Sequence, residues 1–195
     1  EEVGKRPIVY DIYYKENQES ELPTVLFCHG YKGFKDWGAW DLVAKAFAEA
    51  GFFFVKFNFS HNGGTVEQPI DFQDLKAFSE NNYSIELDDV SRMLSTLANY
   101  KGANIDSSNI SIIGHSRGGG LAFLASEKYD AITRCITWAA VSDFAARFQE
   151  GTPAFDHWKE TGMSYVENAR TKQMMPHKFS FYADFNKNRE DYTIK

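Results

Sequence analysis

Apolar residues follow two rhythms along this chain. Short continuous runs, TVLFC (24–28), FFFVKFNF (52–59), ISII (110–113) and RCITWAAV (134–141), are separated by polar or glycine-containing stretches. Runs of that length without alternation predict strands buried on both faces, as in a parallel sheet. Residues 8–14, IVYDIYY, are β-branched and aromatic and predict another strand, with the polar residues 15–21 turning the chain towards the next. Between the strands the spacing becomes helical. Trp40, Val43, Ala44, Phe47 and Ala48 share one helical face, with Asp36 as candidate cap and Gly51 as stop. Leu87, Val90, Leu94 and Leu97 predict a helix over about 84–100, with Asp88 and Asp89 in its first turns, where negative charge suits the helix dipole. LAFLASEKY (121–129) continues as a helix out of GHSRGGG (114–120), and the polar stretch 60–83 predicts mainly loop.

Strand and helix therefore alternate from residue 24 to 141. That order predicts an α/β fold: a mostly parallel, doubly wound sheet covered by helices. The rhythm changes after residue 143. Phe144, Phe148, Phe155, Trp158, Tyr165, Met174 and Met175 occur without a clear buried strand, which predicts an inserted helical cap over 144–190. The expected organisation is a core over 1–143, the cap over 144–190, and a return towards the core at 191–195.

Composition narrows the function classes. A chain of 195 residues with 43% hydrophobic and 16% aromatic content can build one ring-rich core. A net charge of −6 without a Lys/Arg cluster gives no electrostatic reason to expect nucleic acid. No apolar run approaches the roughly 20 residues that span a bilayer. Cys28 and Cys135 each sit in an apolar segment and read as two free buried thiols, which points towards a reducing, cytoplasmic setting. No metal-ligand spacing, Walker loop or dinucleotide fingerprint is present, so no cofactor is implied.

The chemistry centres on Gly114-His115-Ser116-Arg117-Gly118, a G-x-S-x-G motif between a buried strand and a helix. A serine raised clear of a sheet needs a very tight turn, and bulk two residues before or after it would clash. The following helix points its N-terminus at the serine, which favours negative charge there. Ser116 is the candidate nucleophile. A second element, His29-Gly30-Tyr31, ends the run at 24–28. Backbone N–H groups of Tyr31 and Arg117 are the candidate oxyanion donors, with His29 as a structural hydrogen-bonder.

FCHGYKG (27–33), FVKFNFSHNG (54–63) and SIIGHSRGGG (111–120) together resemble the α/β-hydrolase superfamily, over most of residues 8–143. The nearest resemblance is to serine esterases of the feruloyl/cinnamoyl-esterase type and to dipeptidyl-aminopeptidase-like hydrolases. It implies a carboxylic-ester hydrolase that forms an acyl-enzyme on Ser116 and takes a small-molecule ester. In that family the acid and then the histidine follow the serine along the chain. No acid-bearing strand and no late histidine loop are visible here, so the C-terminal strands and helix are expected to be missing from the chain as written. Such a chain would leave a sheet edge open to homodimer formation or aggregation. Asp143 is a candidate acid or a cap of the next helix. His157 and His177 are candidate bases or packing residues, and His61 and His115 read as structural. Two alternatives stay open: a peptidase, with Glu150, Asp156 and Glu160 as candidates to hold an amino terminus, and a non-catalytic binding module with a relic elbow.

Overall fold

The computed structural model describes residues 5–16 and 20–194. The expected turn at 15–21 falls in part on residues 17–19, outside the described residues. The two most apolar runs form the centre of a five-stranded sheet: β2 (Leu22–Cys28) and β3 (Phe53–Phe57). β1 (Tyr10–Tyr13) pairs antiparallel with β3, while β3, β2, β4 (Ile105–His115) and β5 (Ile132–Trp138) run parallel, in the order β1-β3-β2-β4-β5.

Alternate residues of β2 serve opposite faces of the sheet. Val25 and Phe27 join Phe54 and Ile113 against Ala44 of α1 (Trp40–Glu49). Leu26 and Cys28 join Val55, Phe57 and Ile112 on the other face. There they meet Leu87 and Val90 of α3 (Tyr83–Ala98), and Leu121 and Ala122 of α4 (Arg117–Lys128). Helices thus cover both faces, as the alternating pattern predicted. Cys28 is buried, Cys135 is half-buried, and both are free thiols.

Several local expectations are corrected. Asp36 does not cap α1, whose N-cap is Ala39 without a side-chain bond. Lys56 on β3 is fully buried, and its ammonium draws in Asp36 and Asp41, while Lys35 pairs with Asp11 (2.6 Å) and Asp36 (2.7 Å). A buried lysine is tolerated only with such partners, and they claim Asp36. The loop at 60–83 contains a short helix, α2 (Leu75–Glu80), capped by Asp74 accepting from Ala77 N at 2.9 Å. Six residues are too few to establish a helical period. The run at 134–141 is not a buried strand. β5 is the last strand in the order, Arg134 is exposed and Ile136 is 43% exposed, and Ala139 (φ 48°) takes the chain out of the strand direction.

The segment after 143 is not wholly helical. A 3₁₀ turn (Ala145–Arg147) leads to α5 (Pro153–Thr161), which is capped by Thr152 and ended by Gly162 at φ 74°. An antiparallel hairpin follows, β6 (Met163–Glu167) with β7 (Met174–Lys178), then α6 (Ser180–Lys187). Rings hold the segment together: Phe148 lies against Trp158, Phe181, Tyr182 and Phe185. α6 is tied to α3 through Ser84 Oγ, which donates to Asp184 at 2.5 Å, and through Tyr83 against Phe185.

Candidate functional site

Ser116 occupies the single residue between β4 and α4, with φ 53° and ψ −119°. A positive φ at a non-glycine residue costs of order 1–3 kcal/mol and persists only where its surroundings enforce it. Here both backbone groups of Ser116 are clamped to the end of β5. Its N–H donates to Trp138 O at 2.9 Å, and its carbonyl accepts from Val141 N at 3.0 Å and Gly119 N at 3.0 Å. The flanking glycines have no space for a side chain. A Cβ on Gly114 would lie 2.2 Å from Gly118 O, and one on Gly118 would lie 2.4 Å from His29 O.

The loop after β2 reaches the same point. A Cβ on Gly30 would stand 3.1 Å from Ser116 Cβ. His29 braces this loop. It is buried, and burial pushes its pKa down to about 4, so the ring is neutral. Its Nδ1–H donates to Gly30 O at 2.9 Å, and its Nε2 accepts from Phe59 N at 3.4 Å. Among the described residues, neither the Tyr31 nor the Arg117 backbone N–H has a protein acceptor. That is expected for Arg117, the first residue of a helix.

Ser116 opens into a cavity of about 460 Å³. Tyr31, Tyr83 and Arg117 form one side, and Phe148, Phe155 and Trp158 another, so the segment after 143 supplies much of the wall. The Arg117 side chain was not foreseen as a pocket group. It is anchored by buried Glu86: Nε donates to Oε2 at 3.1 Å, and Nη2 lies 2.9 Å from Oε1 as an ion pair, off the line of a hydrogen bond. Asn81 Nδ2 donates to the same Oε1 at 2.7 Å. The guanidinium stacks over Tyr83 and Phe181, 4.8 Å from each ring centre. Burial opposes its charge, and Glu86 together with the Tyr83 and Tyr31 phenols more than offsets that. A signal for Glu86 was present, since it falls on the apolar face of α3 beside Tyr83, Leu87 and Val90.

The histidines separate clearly. His177 on β7 lines the cavity, with Nε2 2.9 Å from the Tyr31 hydroxyl, and burial together with the Arg117 charge pushes its pKa down to about 4. His157 is exposed on α5. His115 packs against Trp37 and Trp40, and His61 Nδ1 bonds Ser60 Oγ at 2.8 Å. Asp143 is exposed and accepts from Ala146 N at 3.2 Å, so it caps the 3₁₀ turn and is not among the residues lining the cavity. No described residue is hydrogen-bonded to Ser116 Oγ. Among the described residues, no group of His, Cys, Asp or Glu could hold a metal ion, and no helix is long and apolar enough to cross a membrane.

The fold is shared with solved structures of low sequence identity. Est1E from Butyrivibrio proteoclasticus superimposes with a TM-score of 0.70 at 14% identity, covering 96% of this chain and 68% of that one. The same protein with ferulic acid bound gives 0.68 at 16%, with the same coverage. Alpha/beta hydrolase domain-containing protein 10 from mouse gives 0.66 at 16%, covering 100% of this chain and 69% of that one. The chain thus spans about two thirds of the length of these structures. No curated protein matches it in sequence. A family model for the alpha/beta hydrolase fold matches residues 23–184. That range runs from within β2 into α6, with the HG loop and the serine turn inside it, and the chain accordingly belongs to the α/β-hydrolase family.

Proposed function

We propose that this chain carries the nucleophile, the oxyanion donors and the substrate pocket of a serine carboxylic-ester hydrolase. The observation that carries the reading is the enforced turn at Ser116, which places its hydroxyl at the cavity beside two uncommitted N–H groups. Ser116 Oγ would attack the ester carbonyl carbon, and the Tyr31 and Arg117 N–H groups would hold the oxyanion. Such a donor is worth about 3–4 kcal/mol in the transition state. The C–O bond to the alcohol then breaks, the serine proton passes through a base to the leaving oxygen, and water cleaves the acyl-enzyme. His177 is the described histidine in the cavity, but its Nε2 is engaged by Tyr31. Est1E holds ferulic acid, which agrees with an ester substrate bearing a ring.

The peptidase alternative would need a carboxylate to hold an amino terminus. Glu150 pairs with Arg189, and neither Asp156 nor Glu160 lines the cavity. No Asp or Glu is among the residues lining it.

Fluorophosphonate labelling read by intact mass tests the proposal. The wild type is expected to gain one label per chain and Ser116→Ala none. Equal labelling of the two proteins defeats it. A wild type that stays unlabelled favours the binding-module alternative.

A further inference from the structure

The walls of the cavity carry an asymmetry of charge. Two arginines line it, with no aspartate or glutamate. Arg117 is neutralised by Glu86. Arg147 is different: it ends the 3₁₀ turn, is exposed at the cavity, and its guanidinium has no hydrogen bond or ion pair among the described residues. Its charge reaches the Tyr83 phenol inside the cavity. This free cation is local, since the chain as a whole carries a net charge of −6.

Its chain neighbours also bear on the cavity. Phe148 is buried in the ring cluster and fixes the backbone between Arg147 and Gln149. Gln149 takes φ 51°, a left-handed conformation that is costly for a non-glycine residue, and it also lines the cavity. Its side-chain amide has no partner among the described residues. Its carbonyl accepts from Thr152 N at 3.3 Å and Thr152 Oγ1 at 2.8 Å, which holds that turn in place. Phe155, Trp158 and Phe181 add rings to the wall.

We propose that the cavity selects ligands joining an apolar ring to a carboxylate, with Arg147 as the selecting charge and Gln149 as a neutral donor beside it. For the hydrolase this makes the preferred ester one with a free carboxylate on its acyl or alcohol part. The inference rests on reading the cavity as the substrate pocket, but needs no turnover to be tested.

Calorimetric titration with 3-phenylpropanoate and its neutral twin, 3-phenylpropanamide, isolates the charge. A charge-assisted hydrogen bond at a partly exposed site gives an expected preference of about tenfold for the anion. In Arg147→Gln that preference falls below about twofold while amide affinity holds, and Arg147→Lys retains part of it as a point charge. Added salt weakens binding of the anion and spares the amide. Equal affinity of wild type for the two compounds, a preference that survives in Arg147→Gln, or no saturable binding in the millimolar range overturns the proposal. Fluorophosphonate labelling of the same preparation reads the serine separately, so an unlabelled protein that still discriminates the pair loses the hydrolase reading and keeps this one.

Discussion

Gly118 lies one residue into α4, where the helix meets the end of β2. A Cβ there would stand 2.4 Å from His29 O and 2.5 Å from Cys28 O. Both obstacles are backbone carbonyls of a central strand and its loop, so neither can swing aside as a side-chain end would. Gly118→Ala is therefore expected to destabilise the chain by about 3 kcal/mol, the upper part of the range for overpacking, read as a lowered urea midpoint. Fluorophosphonate labelling should fall with it, because the same displacement moves the HG loop away from Ser116. A midpoint within about 0.5 kcal/mol of wild type would mean that the turn has more room than its geometry allows. The G-x-S-x-G spacing made this constraint legible before any coordinates, since it is local and steric. The side chain of Arg117, inside the same motif, was not legible. Its direction is set by Glu86, which is 31 residues away in the chain.

Elements with a long period or a continuous apolar run were readable; short or edge elements were not. α1, α3 and α4 each repeat their apolar positions over at least two turns, and β2 and β3 carry no polar side chain except Thr24 and Lys56. α2 is too short to show a period, and the hairpin β6–β7 is half polar, so its strands give no buried run. β5 has an interior composition but sits at the end of the described sheet, a position set by topology rather than by its own residues. α3 carries the strongest element-level prediction. Glu86 faces inward from it and holds Arg117, which stacks on Tyr83 from the same helix. Glu86→Ala would leave the guanidinium buried and uncompensated, at an expected cost of about 3–5 kcal/mol. The double variant Glu86→Leu/Arg117→Met should recover most of that loss, since an apolar pair replaces a buried ion pair at little cost. Urea unfolding decides the point: a double variant no more stable than Glu86→Ala would show that the pair is not the coupled unit.

Across the whole molecule, the contacts that close the cavity span the chain, as Tyr31 to His177 and Ser84 to Asp184 show. Sequence spacing carries no trace of such pairs, and only the tertiary fold brings them together. They also set how stability responds to acid. His29 and His177 are pushed from 6.5 down to about 4, chiefly by burial. Their contribution is complete above the unfolded value of 6.5 and is lost as pH falls through about 4. Asp89 runs the other way: burial pushes it from 3.8 up to about 6, against the bond it accepts from Ser60 N and its pairing with Arg92. Its contribution is complete below 3.8 and is lost as pH rises through about 6. Between about pH 4 and pH 6 the unfolded chain therefore holds two more protons on His29 and His177 and one fewer on Asp89, and His61 and His115, both lowered by burial, act in the same direction as the first two. Over these three groups the net excess of one proton makes stability rise with pH, by roughly 1.4 kcal/mol per pH unit. Urea midpoints taken across that interval should decline towards acid. Asp89→Asn removes the opposing proton, so its decline should be steeper by roughly 1.4 kcal/mol per pH unit, whatever its absolute stability. A wild-type midpoint that stays level or rises towards pH 4 would show that the two rings are protonated in the folded chain, and the neutral His29 brace under the serine would have to be abandoned.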